Sequence, residues 1–165
     1  MFASSGQFAE PPYISPSTVN SNEVQRYFQW RRIYKGVFFQ RQGATISVNT
    51  RSGELASAGL TDWGELPTNE IGRVSEARAQ ELALQAVREK FKGMTSRVVR
   101  LERKIVEKNR YWIDGSDKPI PRNHRFAWLV ILFLPEKRDS EIFVGVDSQT
   151  EEIIFGEAIT VRGRG

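Results

Sequence analysis

The sequence predicts an α+β domain: antiparallel sheet with one long helix packed on a face, built as one unit or as two small tandem units. Three observations lead there. Residues 74–91, VSEARAQELALQAVREKF, carry apolar side chains at helical spacing. Strand-like runs on either side of them are joined by short turns, which favours antiparallel pairing. The stretch HRFAWLVILFLPEKRDSEIFVGVDSQTEEIIFG, residues 124–156, holds nine consecutive residues without charge or strong polarity, Phe126 to Leu134. A spanning helix needs about 20 apolar residues, so that run reads as a core strand covered on both faces.

The elements follow in order. Residues 1–22 are rich in Ser, Pro, Asn and Ala and read as a flexible N-terminal arm or a laid-down extended segment. They have no basic residue and no long apolar core, so they do not read as a signal peptide. EVQRYFQWRRIY opens the domain at Glu23, with Val24, Phe28 and Trp30 on one strand face. Lys35-Gly36 breaks that run. VFFQRQ follows, then ATISVNT with Ile46 and Val48 on one face, and then a turn with Gly53 where positive φ is wanted. LASAGL is a short, weak strand, and TDWGELPTNEIG, residues 61–72, is a loop.

Ser75 is placed to cap the helix, with Glu76 in its first turn. Ala79, Leu82, Ala83, Ala86 and Val87 form its apolar stripe, and Gly93 is a C-cap candidate. SRVVRLERKIVE then puts Val99, Leu101 and Ile105 on one side of a strand. RYWID, FAWLVILFL, EIFVGVD and EEIIFGEAITV supply the remaining strand candidates.

Composition narrows function. There is no cysteine, which excludes disulfides, thiolate metal sites and cysteine nucleophiles. One histidine, His124, excludes any site that needs two. Net charge is +4 with a sequence pI near 9.6. Residues 88–110 hold nine Lys/Arg against three Glu, while residues 139–159 hold six Asp/Glu and no Lys/Arg. The basic block, with the aromatic RYFQWRRIYK at 26–35, suits single-stranded nucleic acid or another polyanion. The competing account is internal: basic strand residues at 97–104 paired with acidic strands at 141–157.

Three further groups carry candidate chemistry. His124 lies near Asp114 and Asp117 and would serve as a general base if a pocket held them together; otherwise it is a surface residue of a polar loop. Asp62, Glu65 and Glu70 are carboxylates in one loop, usable for glycoside hydrolysis or Ca²⁺ only on a rigid frame; otherwise the loop is solvated, with Trp63 tucked into the core. The connection YWIDGSDKPIPRNHR, residues 111–125, mixes aromatics, turn residues and charges, and loops on rigid scaffolds often carry binding. Tyr111, Trp112, Asp114, Lys118 and Arg122 are its candidate partner-binding residues.

The order of these pieces resembles the thermolysin-type propeptide and PepSY families. RIYKGVFFQRQGATISVNTRSGELAS resembles the propeptide strand and glycine turn, and VSEARAQELALQAV the PepSY helix. AWLVILFL followed by EIFVGVDSQTEEII resembles the closing hairpin. The likeness runs from about Val24 to Phe155. It marks Tyr34, Gly36, Trp128, Asp147 and Thr150 as signature structural positions. It implies a PepSY/cystatin-like domain over 23–165, with a propeptide-like strand unit at 23–62 and a helix plus antiparallel strands at 73–161. It also implies a non-catalytic binding or regulatory role toward an extracytoplasmic peptidase, with no cofactor and no metal. Two features depart from the family pattern: Glu151 stands where the turn usually carries glycine, and the 111–125 connection is long.

Overall fold

A computed structural model describes residues 7–9, 15–20, 23–61, 65–108, 123–136 and 140–160. It corrects the expected fold class. The chain is 57% strand and 13% helical, so it is predominantly β rather than an α+β fold with a long helix packed on a sheet face. The reason lies in strand length. The helical period is the strongest local signal in the sequence, yet the strands beside it run to 11, 12 and 13 residues, twice an ordinary strand. Among the described residues there is one helix, and no helix is long and apolar enough to cross a membrane.

The chain divides into two compact units, Met1–Trp63 and Gly64–Gly165. In the first, β1 (Gln7–Ala9) and β2 (Ser15–Asn20) both pair antiparallel with β3 (Glu23–Tyr34). The expected arm therefore contributes two laid-down strands. β4 (Val37–Asn49) pairs with β3, and β5 (Leu55–Leu60) pairs with β4. Tyr34 opposes Val37 across Lys35 and Gly36, whose φ values are 48° and 76°. A two-residue loop with both residues at positive φ is the hairpin turn whose twist matches its strands. Lys35-Gly36 thus joins two long strands, and Gly36 supplies the conformation that a side chain resists.

Alternation splits this sheet. Arg26, Phe28 and Trp30 oppose Val48, Ile46 and Ala44, giving a largely apolar face, with Phe28 and Trp30 stacked at 6.4 Å. Tyr27 and Gln29 oppose Ser47 and Thr45 on the other face, where Ser47 and Ser57 share a hydroxyl hydrogen bond of 2.6 Å. The buried apolar residues of the unit, among those described, are Phe39 and Val37, with the Arg32 guanidinium 4.5 Å over the Phe39 ring and bonded to Gln42 Oε1 at 2.8 Å. Burial pulls the Arg32 pKa down; the ring face and the amide oxygen offset that cost.

The second unit is a four-stranded antiparallel meander: β6 (Arg97–Glu107), β7 (His124–Leu134), β8 (Ser140–Asp147) and β9 (Ile153–Thr160), preceded by α1 (Glu76–Lys90). Ser75 caps the helix as expected, its Oγ accepting from Arg78 N. The C-cap is Phe91; Gly93 follows it at φ +81°. Ala79, Ala83 and Val87 are the buried helix residues, and they cluster with Trp128, Val130, Leu132, Ile142, Val144 and Val146. The opposite face of β7 gathers Ala127 and Leu129 with Val106, Ile154 and Phe155. Phe126–Leu134 is therefore the central strand expected of it, with both faces covered.

One pattern needed correction. Residue 99 sits at a β-bulge, so Val99 is exposed, while Val98 and Leu101 pack toward the helix cluster. A single extra residue reverses which side chains face inward.

Candidate functional site

Two places in the molecule concentrate polar or exposed features. The first is a latch between the loop 65–75 and the β7–β8 end of the second unit. Asn69 is buried and pairs with the Phe126 backbone as a strand would: its Oδ1 accepts from Phe126 N at 2.7 Å, and its Nδ2 donates to Phe126 O at 3.0 Å. The same amide nitrogen reaches Asp147 Oδ1 at 3.3 Å. Arg125 Nε donates to Asp147 Oδ2 at 2.7 Å and its Nη1 to Thr68 Oγ1 at 3.1 Å. Asp147 Oδ1 also accepts from the backbone N–H groups of Gln149 and Thr150, at 2.8 and 3.0 Å. Burial pushes the Asp147 carboxyl upward, but Arg125 and the two amides outweigh it and hold the group below its ordinary range.

The latch continues along the loop. Gly72 N donates to Ser148 Oγ, Ser148 Oγ donates to Glu70 O, and Val74 N donates to Ser148 O. Trp128 Nε1 donates to Val74 O at 2.8 Å, and the Arg103 guanidinium lies 4.5 Å over the Trp128 ring. Three of the five signature positions, Trp128, Asp147 and Thr150, thus meet in one network, while Tyr34 and Gly36 flank the β3–β4 turn. The polar groups of Asn69, Arg125, Asp147 and Ser148 find their partners within the latch.

Glu151 stands in the turn that Asp147 organises, at φ 65°. The turn therefore keeps the left-handed conformation that glycine favours, at a backbone cost of about 1 kcal/mol. Glu151 Oε2 also accepts from Arg78 Nη2 at 2.8 Å, but both side chains are more than two-fifths exposed and salt screens the pair. Replacing Glu151 by Gly is expected to leave stability unchanged at low salt and raise the melting temperature by a few degrees in 0.5 M NaCl. Thermal unfolding followed by circular dichroism at the two salt concentrations checks it.

The second place is the β5 edge. All six residues of Leu55–Leu60 are exposed, with Leu55 at 63% and Leu60 at 65%. Among the described residues β5 pairs only with β4, so its outer row of N–H and C=O groups faces away from the sheet. LASAGL contains no charge and no proline, the usual guards of a free edge. On the other side of β4, a pocket of about 400 Å³ is lined by Arg26 and Phe28 of β3, Val48 and Asn49 of β4, and Thr50 and Gly53 of the turn, with no residue of β5.

The other sequence candidates disperse. Tyr111, Trp112, Asp114, Lys118 and Arg122 lie outside the described residues, as do Asp117, Asp62 and Trp63. His124 is buried at 4% exposure as the first residue of β7, opposite Glu107, so it is not the surface loop residue expected of it. Glu65 and Glu70 are both exposed, and no group of His, Asp or Glu suited to a metal forms among the described residues.

The expected pairing of the basic strand with the acidic strands does not form. β6 pairs with β7, not with the acidic strands. Within β6, Arg100 and Lys104 share Glu102, while Arg97 and Arg103 lie over the Phe133 and Trp128 rings. Lys108 pairs with Glu152 at the strand's end. Five cations of the block thus have intramolecular partners.

Sequence reasoning passed over the β5 edge. Its one available signal was that LASAGL is a strand with no protective charge. Comparison with protein-family models and with curated proteins finds no match to this chain.

Proposed function

We propose that the chain is a non-catalytic binding module that takes up an extended segment of a partner protein along β5. The observation that carries this reading is the edge itself: six exposed residues, unpaired on one side among the described residues, without charge or proline. A strand added there would gain backbone hydrogen bonds from the free row, and alternate side chains would supply specificity. The small residues Ala56, Ser57, Ala58 and Gly59 leave the approach open. The resemblance of residues 24–155 to propeptide and PepSY domains extends the reading to the partner's class. It is a peptidase met outside the cytoplasm, inhibited or assisted by occlusion.

The test is a photo-crosslinking residue placed at Ala58, with the same residue at Glu81 on the exposed side of α1 as the control. Each protein is exposed to envelope and secreted fractions, and the adducts are mapped by peptide mass spectrometry. Adducts at position 58 to one contiguous segment of a second protein, absent at position 81, are the expected result. A peptidase there supports the class. Adducts to nucleic acid, or only between two copies of this chain, overturn the reading.

A further inference from the structure

We infer that the segment taken up at β5 alternates apolar with polar side chains, and that a large apolar one seats against Ala58, between Leu55 and Leu60. This rests on the β5 reading above and adds the chemistry of the ligand. Residues directly opposite one another in a ladder carry their side chains on the same face. Trp30, Ala44 and Leu60 therefore form one row across β3, β4 and β5, and Phe28, Ile46 and Ala58 form the next. On the other face, Gln29, Thr45 and Gly59 line up, as do Tyr27, Ser47 and Ser57. All four rows end at the free edge, and a strand added there continues them.

The apolar face has a notch at that edge. Leu55 opposes Val48, so it stands on the face of Ala58 and Leu60. Both leucines are exposed, and the small Ala58 lies between them. A large aliphatic or aromatic side chain opposite Ala58 would reach both leucines diagonally and extend the Phe28–Ile46 row. On the polar face, a Cβ at Gly59 would meet nothing within 4 Å, and the Ser57 hydroxyl already shares a hydrogen bond with Ser47. Hydroxyl or amide side chains of the ligand would extend that polar face.

The backbone sets which residues bond. Thr61 N donates to Gly43 O, so by alternation Gly59 and Ser57 turn their peptide groups toward β4, while Ala58 and Leu60 present theirs outward. The register shifts between Ser57 and Leu55, so the regular stretch of the edge is Ser57–Leu60. The free peptide groups and the notch thus fall on the same residues. Charge argues for a foreign segment over a second copy of this chain. The stretch from Glu23 to Thr61 holds six Lys/Arg against two Glu, and two such units joined edge to edge would repel.

The experiment uses the full chain and fluorescein-labelled eight-residue peptides, read by fluorescence anisotropy. The parent peptide alternates Thr with Val and carries Phe in place of one central Val. A second has Ala for that Phe, and a third has the parent composition with its apolar residues in one block. Two more are the parent with N-methyl groups, on the amides of its apolar residues in one and of its Thr residues in the other. The parent is expected to bind about tenfold tighter than the Ala and block peptides, the effect of burying one large apolar side chain. Ala58→Phe fills the notch and should erase the preference for Phe over Ala while leaving thermal unfolding unchanged. Methylation should abolish binding in one set and spare it in the other, because an added strand uses one of its two rows of peptide groups. Equal binding of the Phe and Ala peptides overturns the notch, and equal binding of the parent and block peptides overturns the alternating class. Either result, with methylation still selective, leaves strand addition at β5 standing. Binding indifferent to both methylations overturns strand addition itself, and the proposed function with it. Failure of every peptide overturns the inference, while crosslinking at position 58 decides the proposed function separately. Self-association by sedimentation that Ala58→Asp abolishes overturns both.

Discussion

Replacing Asp147 by alanine is expected to destabilise the second unit by about 3–5 kcal/mol, the range for breaking a buried, hydrogen-bonded ion pair. The side chain is fully buried and accepts from Arg125, Asn69 and the Gln149 and Thr150 amides. Removing it takes the acceptor from Arg125 Nε and from both amides at once, while Asn69 Nδ2 keeps only its bond to Phe126 O. The variant should show a lower urea midpoint at pH 7 with an unchanged slope. An unchanged midpoint would mean that the latch contributes nothing to stability.

Acid should produce the same loss reversibly. The folded carboxyl titrates below its unfolded value of about 3.9. A depressed pKa contributes stability that is present above the unfolded value and is lost as pH falls through the folded one. Wild-type stability should therefore drop below about pH 4. Asp147→Asn keeps the shape but has no charge to lose, so this component of the acid sensitivity should vanish in it. Urea midpoints of both proteins at pH 7 and pH 3 decide the matter: parallel declines would assign the acid sensitivity to other carboxylates.

Gly72→Ala is the second large effect. A Cβ at position 72 would lie 1.9 Å from Ser148 O and 2.3 Å from its carbonyl carbon. Both are backbone atoms of the turn that Asp147 holds, so neither can swing away as a flexible side chain would. The loop must lift, and lifting it breaks the Gly72, Val74 and Ser148 hydrogen bonds. The expected cost is about 3 kcal/mol, at or above the upper end for overpacking. Ser148→Ala separates the two causes. It removes the hydroxyl bonds without crowding and should cost about 1 kcal/mol. Equal losses in the two variants would show that hydrogen bonding, and not close approach, sets the penalty.

Local chemistry was legible in the sequence. Ser75 as the cap, Gly53 at positive φ, the alanine-rich stripe of α1 and the two-sided burial of Phe126–Leu134 all follow from short-range rules, and the structure holds each of them. Features set by distant partners were not legible. The fold class leaned toward α+β because helical periodicity is conspicuous, whereas the pairing of Ser15–Asn20 on β3 depends on register and leaves little trace in composition. Val99 was misassigned because a bulge adds one residue without a sequence mark. Asn69 reads as an ordinary loop asparagine, and only its contacts 57 and 78 residues away show that it completes a strand end. The β5 edge escaped notice for the opposite reason: its character lies in what LASAGL lacks.

The latch also bears on the order in which the second unit assembles. In the β6–β9 meander each strand pairs with its neighbour in sequence, and β7–β8 and β8–β9 close through short turns that are fast to form. The hydrogen bonds from 68–74 to 126, 128, 147 and 148 span 54 to 78 residues and carry a larger loop-closure cost. The meander would then condense first and the loop would settle on it last. In native-state hydrogen exchange, the amides of Gly72 and Val74 should open with a smaller free energy than those of β7. The protein would possess a partly opened form in which the sheet is intact, the loop is released and Asp147 meets water.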